Sequence, residues 1–319
     1  VNAERRGRRL LLIGDGLSPA LRQWLRSGVE RGAVVVAQRP VREALEWLRS
    51  DPRRKQVDEL VVAADQLDAS TRLQLLALIG RRRLCLVRAE GPAPESFKPA
   101  SERGKRLFDA AASLLLLTLL GPLLLLIALA IRLSDGAPVL FRQRRLGRQG
   151  RPFSLYKFRT LRASACADPL APQVIAGDPR VTRLGALLRR WGLDELPQLW
   201  NVLRGDMSLV GPRPHAIAHD LLYAGLLDGY AARLAGRPGI TGLAQVLGWR
   251  GEIAELEDMR ERLLADLSYW RRRSLLLDLR LLLGTPLALC RARKPSARRS
   301  RRLRRRALVE RSPVDLDRR

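Results

Sequence analysis

The chain has 319 residues, 46% of them hydrophobic, which is enough for two ordinary domains with apolar cores of their own. Its 59 Lys and Arg stand against 32 Asp and Glu, a formal charge of +27, so the surface is suited to polyanions: nucleic acid, anionic lipid or phosphorylated substrates. The three cysteines, Cys85, Cys166 and Cys290, are scattered and odd in number, which excludes a disulfide framework and fits a reducing cytoplasm. No secretory signal opens the sequence, and its first residue is Val1, as expected of a piece of a longer chain.

Residues 1–88 alternate strand-like and helix-like runs. Arg9 to Ile13, Ala33 to Ala37, Leu60 to Ala64 and Leu84 to Arg88 read as strands. Pro19 to Ser27, Val41 to Arg49 and Ser70 to Ile79 read as helices. That alternation predicts a small parallel, Rossmann-like α/β domain. The turn after the first strand, Gly14-Asp15-Gly16, resembles the start of a dinucleotide fingerprint. Pro19 stands where the third glycine belongs, and no acid closes the second strand to hold a ribose. Two readings stay open there, a nucleotide site and a fold of that shape without a cofactor.

Residues 89–104 are rich in Pro, Gly, Ser and charge, and read as a linker. Ala110 to Ile131 carries no charge; a straight helix of that length rises ~33 Å, enough to cross a bilayer core of about 30 Å. Gly121-Pro122 at its centre predicts a bend, because proline removes a backbone hydrogen bond. Both flanks are basic, with Lys105 and Arg106 before and Arg132, Arg142, Arg144 and Arg145 after, so both ends favour the cytoplasmic side. A helix–break–helix hairpin over 107–133, dipping into the membrane and returning, satisfies both features. Asp109 and Ser113 stand where they can cap or hydrogen-bond its arms. A buried helix of a soluble domain is the alternative, disfavoured by leucine on every face. The tail, 291–319, is strongly basic: ten of the sixteen residues from Arg291 to Arg306 are Arg or Lys. It reads as disordered, either solvated or lying on anionic lipid.

The chemistry concentrates between these segments. Asp194 and Glu195 are adjacent acids in an apolar stretch, RRWGLDELPQLW, where an unpaired carboxylate is costly to bury. Arg189 and Arg190 lie one helical turn upstream and can pair with them, and Pro197 is expected to end or kink that helix. Gly211-Pro212-Arg213-Pro214 presents an arginine on a stiff turn. His215 and His219 stand at i and i+4, a spacing that can hold a metal on a helix, although packing or sugar-side hydrogen bonding accounts for them as well.

Three long motifs in order, KFRT (Lys157 to Thr160), LDELPQLWNVLRGDMSLVGPRP and RPGITGLAQV (Arg237 to Val246), resemble the bacterial sugar transferase family. These are monotopic phosphoglycosyl transferases acting on polyprenyl phosphate, and the resemblance covers about residues 103–286. It implies a catalytic domain, 105–290, on the cytoplasmic face of the bacterial inner membrane, held by the re-entrant helix, with a UDP-sugar and undecaprenyl phosphate as substrates. It implies that Asp194 is the nucleophile and Glu195 the ligand of Mg²⁺. Lys157, Arg159, Arg189 and Arg213 would clamp phosphates. The segments PHAIAH and GWRGE (Gly248 to Glu252) resemble the branch that starts exopolysaccharide synthesis from UDP-glucose or UDP-galactose. The pattern departs at Gly192, where the family has Ser and a helix cap, and at Leu247 and Ile253-Ala254, which bear on the sugar. The composite expectation is an α/β fold, a small Rossmann-like domain followed by a membrane-associated, α-rich catalytic domain. A homo-oligomer is compatible with it. A nucleic-acid-binding protein, suggested by charge, is disfavoured by 5% aromatics and the lack of any recognition motif. An inactive membrane scaffold is the other alternative.

Overall fold

The computed structural model describes residues 8–15, 18–30, 33–89, 102–162, 165, 174, 177–249, 253 and 255–290. The fold mixes helices with parallel sheet and contains one long apolar helix. Its residues gather into two compact units that do not follow chain order. The first comprises Val1–Lys98, Arg144–Ser154 and Pro214–Gly236; the second comprises Pro99–Gln143, Leu155–Arg213 and Arg237–Arg319. Most of the linker, Gly16 of the first turn, Arg250 to Glu252 of the GWRGE segment, Ala254, Cys166 and the basic tail lie outside the described residues.

In the first unit, β1 (Arg9–Ile13), β2 (Val34–Arg39), β3 (Glu59–Ala63) and β4 (Arg83–Val87) form a parallel sheet in the order β2-β1-β3-β4. After their first residues, Arg9 and Glu59, the central strands are unbroken apolar runs because a parallel sheet is covered on both faces; all of β3 is buried. Between the strands run α1 (Pro19–Glu30), α2 (Val41–Ser50) and α3 (Ala69–Leu78). Leu12, Val61 and Val87 of the strands pack with Leu21 and Leu25 of α1. Asp68 caps α3, accepting from the Thr71 amide at 2.7 Å. The turn after β1 is bridged from the end of β3: the Asp15 amide donates to Gln66 Oε1 at 2.8 Å, and Gln66 Nε2 donates back to the Asp15 carbonyl at 2.5 Å.

The second unit is built on α4 (Glu102–Asp135), 34 residues with Pro122 inside. At 1.5 Å per residue its path is about 51 Å. The sequence pattern predicted two arms separated by a break; the structure forms one helical element through Gly121-Pro122. Proline withholds only the amide that would serve the carbonyl four residues earlier, so the helical hydrogen bonding continues on both sides of a position where a helix can bend. Leucines face solvent all along it, with Leu115 67%, Leu125 73% and Leu133 78% exposed, so it is not the core helix of a soluble domain. Both its ends pack on the same unit. Near the start, Lys105 and Asp109 are buried, and near the finish Ile127 and Ile131 pack against Phe158 and Leu188. Along the chain after α4 come β5 (Leu140–Leu146) and β6 (Pro152–Phe158), a two-stranded sheet, then α5 (Arg183–Trp191), α6 (Gln198–Arg204), β7 (Ser208–Val210) and α7 (Ile217–Leu226), the last of which belongs to the first unit. Then follow β8 (Gly239–Thr241), α8 (Leu243–Val246), α9 (Leu256–Arg272) and α10 (Leu275–Cys290). β7 and β8 pair in parallel.

Candidate active site

The acidic pair sits between two helices rather than within one. α5 stops at Gly192, whose φ of +70° is the left-handed conformation that lets its amide reach back to the Leu188 and Arg189 carbonyls. The expected loss of an N-terminal cap at this position is therefore replaced by a C-terminal one, which a glycine makes without steric cost. Leu193, Asp194 and Glu195 then form a single 3₁₀ turn, and Pro197 opens α6 instead of ending a helix that holds the pair. This also corrects the expected pairing with Arg189 and Arg190, because the reversal at Gly192 takes the acids off the α5 register.

Glu195 is claimed by two cations from elsewhere. Lys157 Nζ, near the end of β6, donates to Oε1 at 2.8 Å. Arg213, three residues beyond β7, grips both carboxylate oxygens: Nη1 donates to Oε2 at 2.8 Å and Nη2 donates to Oε1. Such a fork is the strongest form of carboxylate pairing. Burial alone would raise the Glu195 carboxyl, but Arg213 and Lys157 outweigh it and hold it well below its ordinary value. Burial lowers the Lys157 ammonium despite the Glu195 charge, and the neighbouring Arg213 pushes the same way.

Asp194 is the contrast. It is 7% exposed, yet among the described residues it has no hydrogen bond and no ion pair. Burial raises its carboxyl above the ordinary value, with Lys157 the largest opposing influence; the Glu195 charge raises it further, and Arg189 and Arg213 lower it. A carboxylate held nearly dry, unengaged and ringed by cations retains its lone pairs for an electrophile. The nearby charges, Lys157, Arg189 and Arg213 against Asp194 and Glu195, leave a surplus of one positive charge, which suits an anionic guest.

Arg189 and Arg159 are placed differently from each other. Arg189 Nε donates to Thr160 Oγ1 at 2.7 Å, so the threonine of the KFRT motif orients that arginine beside the pair. Arg159 is 2% exposed and turns away, donating through Nη2 to the carbonyls of Asp135 (2.8 Å) and Gly136 (2.9 Å) at the end of α4. Arg190 stacks over Trp191 at 5.9 Å. The Arg213 turn is fixed by close backbone crossing. A Cβ on Gly239 would lie 2.1 Å from the Gly211 nitrogen, and the Gly211 amide donates to the Thr241 carbonyl at 2.9 Å. Asn201, fully buried, accepts from the Tyr156 amide at 3.1 Å and so ties α6 to the strand carrying Lys157. The sequence held Thr160 and Asn201 inside motifs but gave no sign of which atoms they would meet.

His215 and His219 do not share a helical face. His215 precedes α7, buried, with Nδ1 2.8 Å from the Tyr230 hydroxyl, which in turn donates to Asp220 Oδ1 at 2.8 Å. His219 lies on α7 with its ring edge toward Tyr223. Among the described residues no three His, Cys, Asp or Glu side chains converge as a metal site. Mg²⁺ is usually held by one or two carboxylates together with substrate phosphates; of the acidic pair, Glu195 has both oxygens taken by Arg213 and Lys157, and Asp194 has its oxygens unengaged among the described residues.

The profile of the family described as "Bacterial sugar transferase" matches residues 100–292, the stretch that carries all of these groups. The chain belongs to that family. It is 50% identical over 202 residues to the UDP-glucose:undecaprenyl-phosphate glucose-1-phosphate transferase of Caulobacter vibrioides, covering 63% of this chain and 74% of that one. The protein of the same name from Escherichia coli K12 is 48% identical over 181 residues, 57% of this chain and 39% of the relative. The exopolysaccharide production protein PSS of Rhizobium leguminosarum bv. phaseoli is 47% identical over 184 residues, 57% of this chain and 92% of the relative. The chain thus spans about two fifths of the length of the Escherichia coli family member and three quarters of the Caulobacter one.

Proposed function

We propose that the chain transfers a hexose-1-phosphate, glucose-1-phosphate foremost, from a UDP-sugar to undecaprenyl phosphate, releasing UMP and starting an exopolysaccharide. The observation that carries this reading is the buried, unengaged carboxylate of Asp194 beside Lys157, Arg189 and Arg213. A carboxylate left unpaired at such desolvation cost has a use in its free form. The glucose assignment follows the names of the Caulobacter and Escherichia coli relatives.

In the first step an Asp194 oxygen attacks the β-phosphorus of the UDP-sugar. The bond from that phosphorus to the bridging oxygen breaks, UMP departs with the electron pair, and a sugar phosphate remains on Asp194 as an acyl phosphate. In the second, an oxygen of undecaprenyl phosphate attacks the same phosphorus and the Asp194 carboxylate is released. Arg213 and Lys157 offset the charge that builds on the phosphoryl oxygens, and Arg189, held by Thr160, adds a third cation. A bound diphosphate would offer Arg213 and Lys157 an alternative acceptor, and Glu195 would then be the residue able to hold Mg²⁺. When bound, that ion would neutralise phosphate charge that three side chains offset only in part.

The same reading places α4 as a re-entrant helix on the cytoplasmic face of the inner membrane. The basic flanks support it, as does the packing of both helix ends on one compact unit, which a straight span of about 51 Å would separate by the whole bilayer. Cysteines introduced at Arg103 and Gly136 should both react with an impermeant thiol reagent from the cytoplasmic side alone; opposite sides would overturn the re-entrant assignment. The parallel sheet of the first unit, with its central order reversal between β1 and β3, is read as a Rossmann-like module.

The deciding experiment supplies solubilised protein with undecaprenyl phosphate, Mg²⁺ and a panel of UDP-hexoses, and scores UMP and labelled lipid. UMP release with UDP-glucose, abolished in Asp194→Asn, is the expected result. A folded, membrane-bound protein silent across the panel would favour the scaffold reading.

A further inference from the structure

The strand that delivers Arg213 is held by a buried charged network that the transfer reaction does not use. The amide of Leu209 on β7 donates to Asp109 Oδ1 at 3.3 Å, and the carbonyl of Val210 accepts from the Tyr269 hydroxyl at 3.0 Å. Behind these two contacts stands Asp278 of α10, which accepts from the same hydroxyl on Oδ1 at 2.8 Å and from Lys105 Nζ on Oδ2 at 2.6 Å. Lys105 also lies 3.5 Å from Asp109, its neighbour one turn along α4. All four side chains are buried: Lys105 is 7% exposed, and Asp109, Tyr269 and Asp278 are 2% or less.

Burying one cation with two carboxylates is costly, and apolar side chains of like volume would pack the same space at no such cost. The network therefore holds something that packing alone would leave loose. Its members come from the first turns of the membrane helix, from α9 and from α10, and its two outputs both end on the residues just ahead of Gly211-Pro212-Arg213. On the other side the same turn is fixed by β8. Arg213 must place both guanidinium nitrogens on one carboxylate, and its fork tolerates little displacement of the strand behind it.

We infer that Lys105, Asp109, Tyr269 and Asp278 are positioning residues for Arg213, tying the start of the membrane helix to the arginine that clamps substrate phosphate. The inference rests on the proposed transfer reaction for the role of Arg213, but the network and the strand it holds stand independently of it. Tyr269 is its most accessible point for a test, because Phe keeps the ring and its packing and removes only the hydroxyl that reaches Val210.

The test is a double-mutant cycle on UMP release by the full chain in membranes, comparing wild type, Tyr269→Phe, Arg213→Lys and the pair. The expected result is a roughly tenfold fall in kcat/KM for Tyr269→Phe, a larger fall for Arg213→Lys, and little further loss when the two are combined. A role confined to stability would lower the unfolding midpoint and reduce activity by the same factor in both backgrounds, and that additive outcome would overturn the inference. So would a folded Tyr269→Phe protein with kcat/KM within twofold of wild type. Should wild type release no UMP, the reaction reading fails on its own. The same cycle, read as the dissociation constant for UDP by calorimetry, then decides the positioning question by the same additivity criterion.

Discussion

Replacing Arg213 by Lys isolates the worth of its fork, because the charge stays and the geometry goes. In the native site both Glu195 oxygens receive a guanidinium nitrogen and one also receives Lys157. An ammonium at position 213 can keep one of the two contacts. A hydrogen bond to a charged group contributes about 1.5–3 kcal/mol, and the side chains here are 28% and 15% exposed, so screening reduces the expected loss of stability to roughly 1–2 kcal/mol. If the same contact is remade to the phosphoryl oxygens in the transition state, each 1.36 kcal/mol is tenfold in rate, and kcat for UMP release should fall by about 10- to 100-fold. Arg213→Gln removes the charge as well and should fall further while Glu195 rises toward its ordinary pKa. The assay is initial-rate UMP release with saturating undecaprenyl phosphate, alongside a denaturant midpoint in detergent. If Arg213→Lys kept kcat within threefold of wild type while its midpoint fell as expected, the arginine would be a brace for Glu195 alone, and its place in the phosphate clamp would be refuted.

The pH dependence should carry the signature of the pair. Burial raises the Asp194 carboxyl and Lys157 is the largest influence against it, so activity should appear as pH rises through a value above the ordinary 3.8, where the nucleophile loses its proton. Lys157→Met should move that acidic limb to still higher pH; an unmoved limb in the kcat/KM profile would show that another group sets it. In the first unit, Asp220 is fully buried, accepting from the Tyr230 hydroxyl with Arg233 at 3.9 Å, and burial raises it to about 6 against the Arg233 charge. The folded state then binds a proton that the unfolded chain has already lost, so stability should decline as pH rises from about 4 to 6, by roughly 3 kcal/mol for a gap of about two units. Asp220→Asn keeps an oxygen for the Tyr230 hydroxyl and should flatten that decline in denaturant titrations across this range; an unchanged slope would assign it elsewhere.

The alternation of the first eighty residues was legible in the sequence because a parallel strand covered on both faces must be an unbroken apolar run. Arg9–Ile13 is a strand in both readings, and the other strands and helices there shift by no more than a few residues at their ends. The apolar run at Ala110 to Ile131 announced a long apolar helix on length and composition alone, and the structure forms it with leucines exposed along it. The adjacent acids and the GPRP turn likewise stood out, because carboxylates are rarely placed among leucines and tryptophans without a partner, and the fold brings Arg213 of that turn onto Glu195. What the sequence could not state was which cation meets which acid. Helical spacing offered Arg189 as the partner of the pair, but a left-handed Gly192 breaks that register, and the partners come instead from positions 38 residues before and 18 after Glu195. Lys157 and Arg159 stand two apart in one motif, yet one reaches Glu195 and the other donates to carbonyls at the end of α4. Local patterns are set by periodicity and by burial, which each segment carries in its own residues. Pairings across the chain depend on where separate elements cross, and only the packed tertiary structure, with backbones as close as Gly211 and Gly239, decides them.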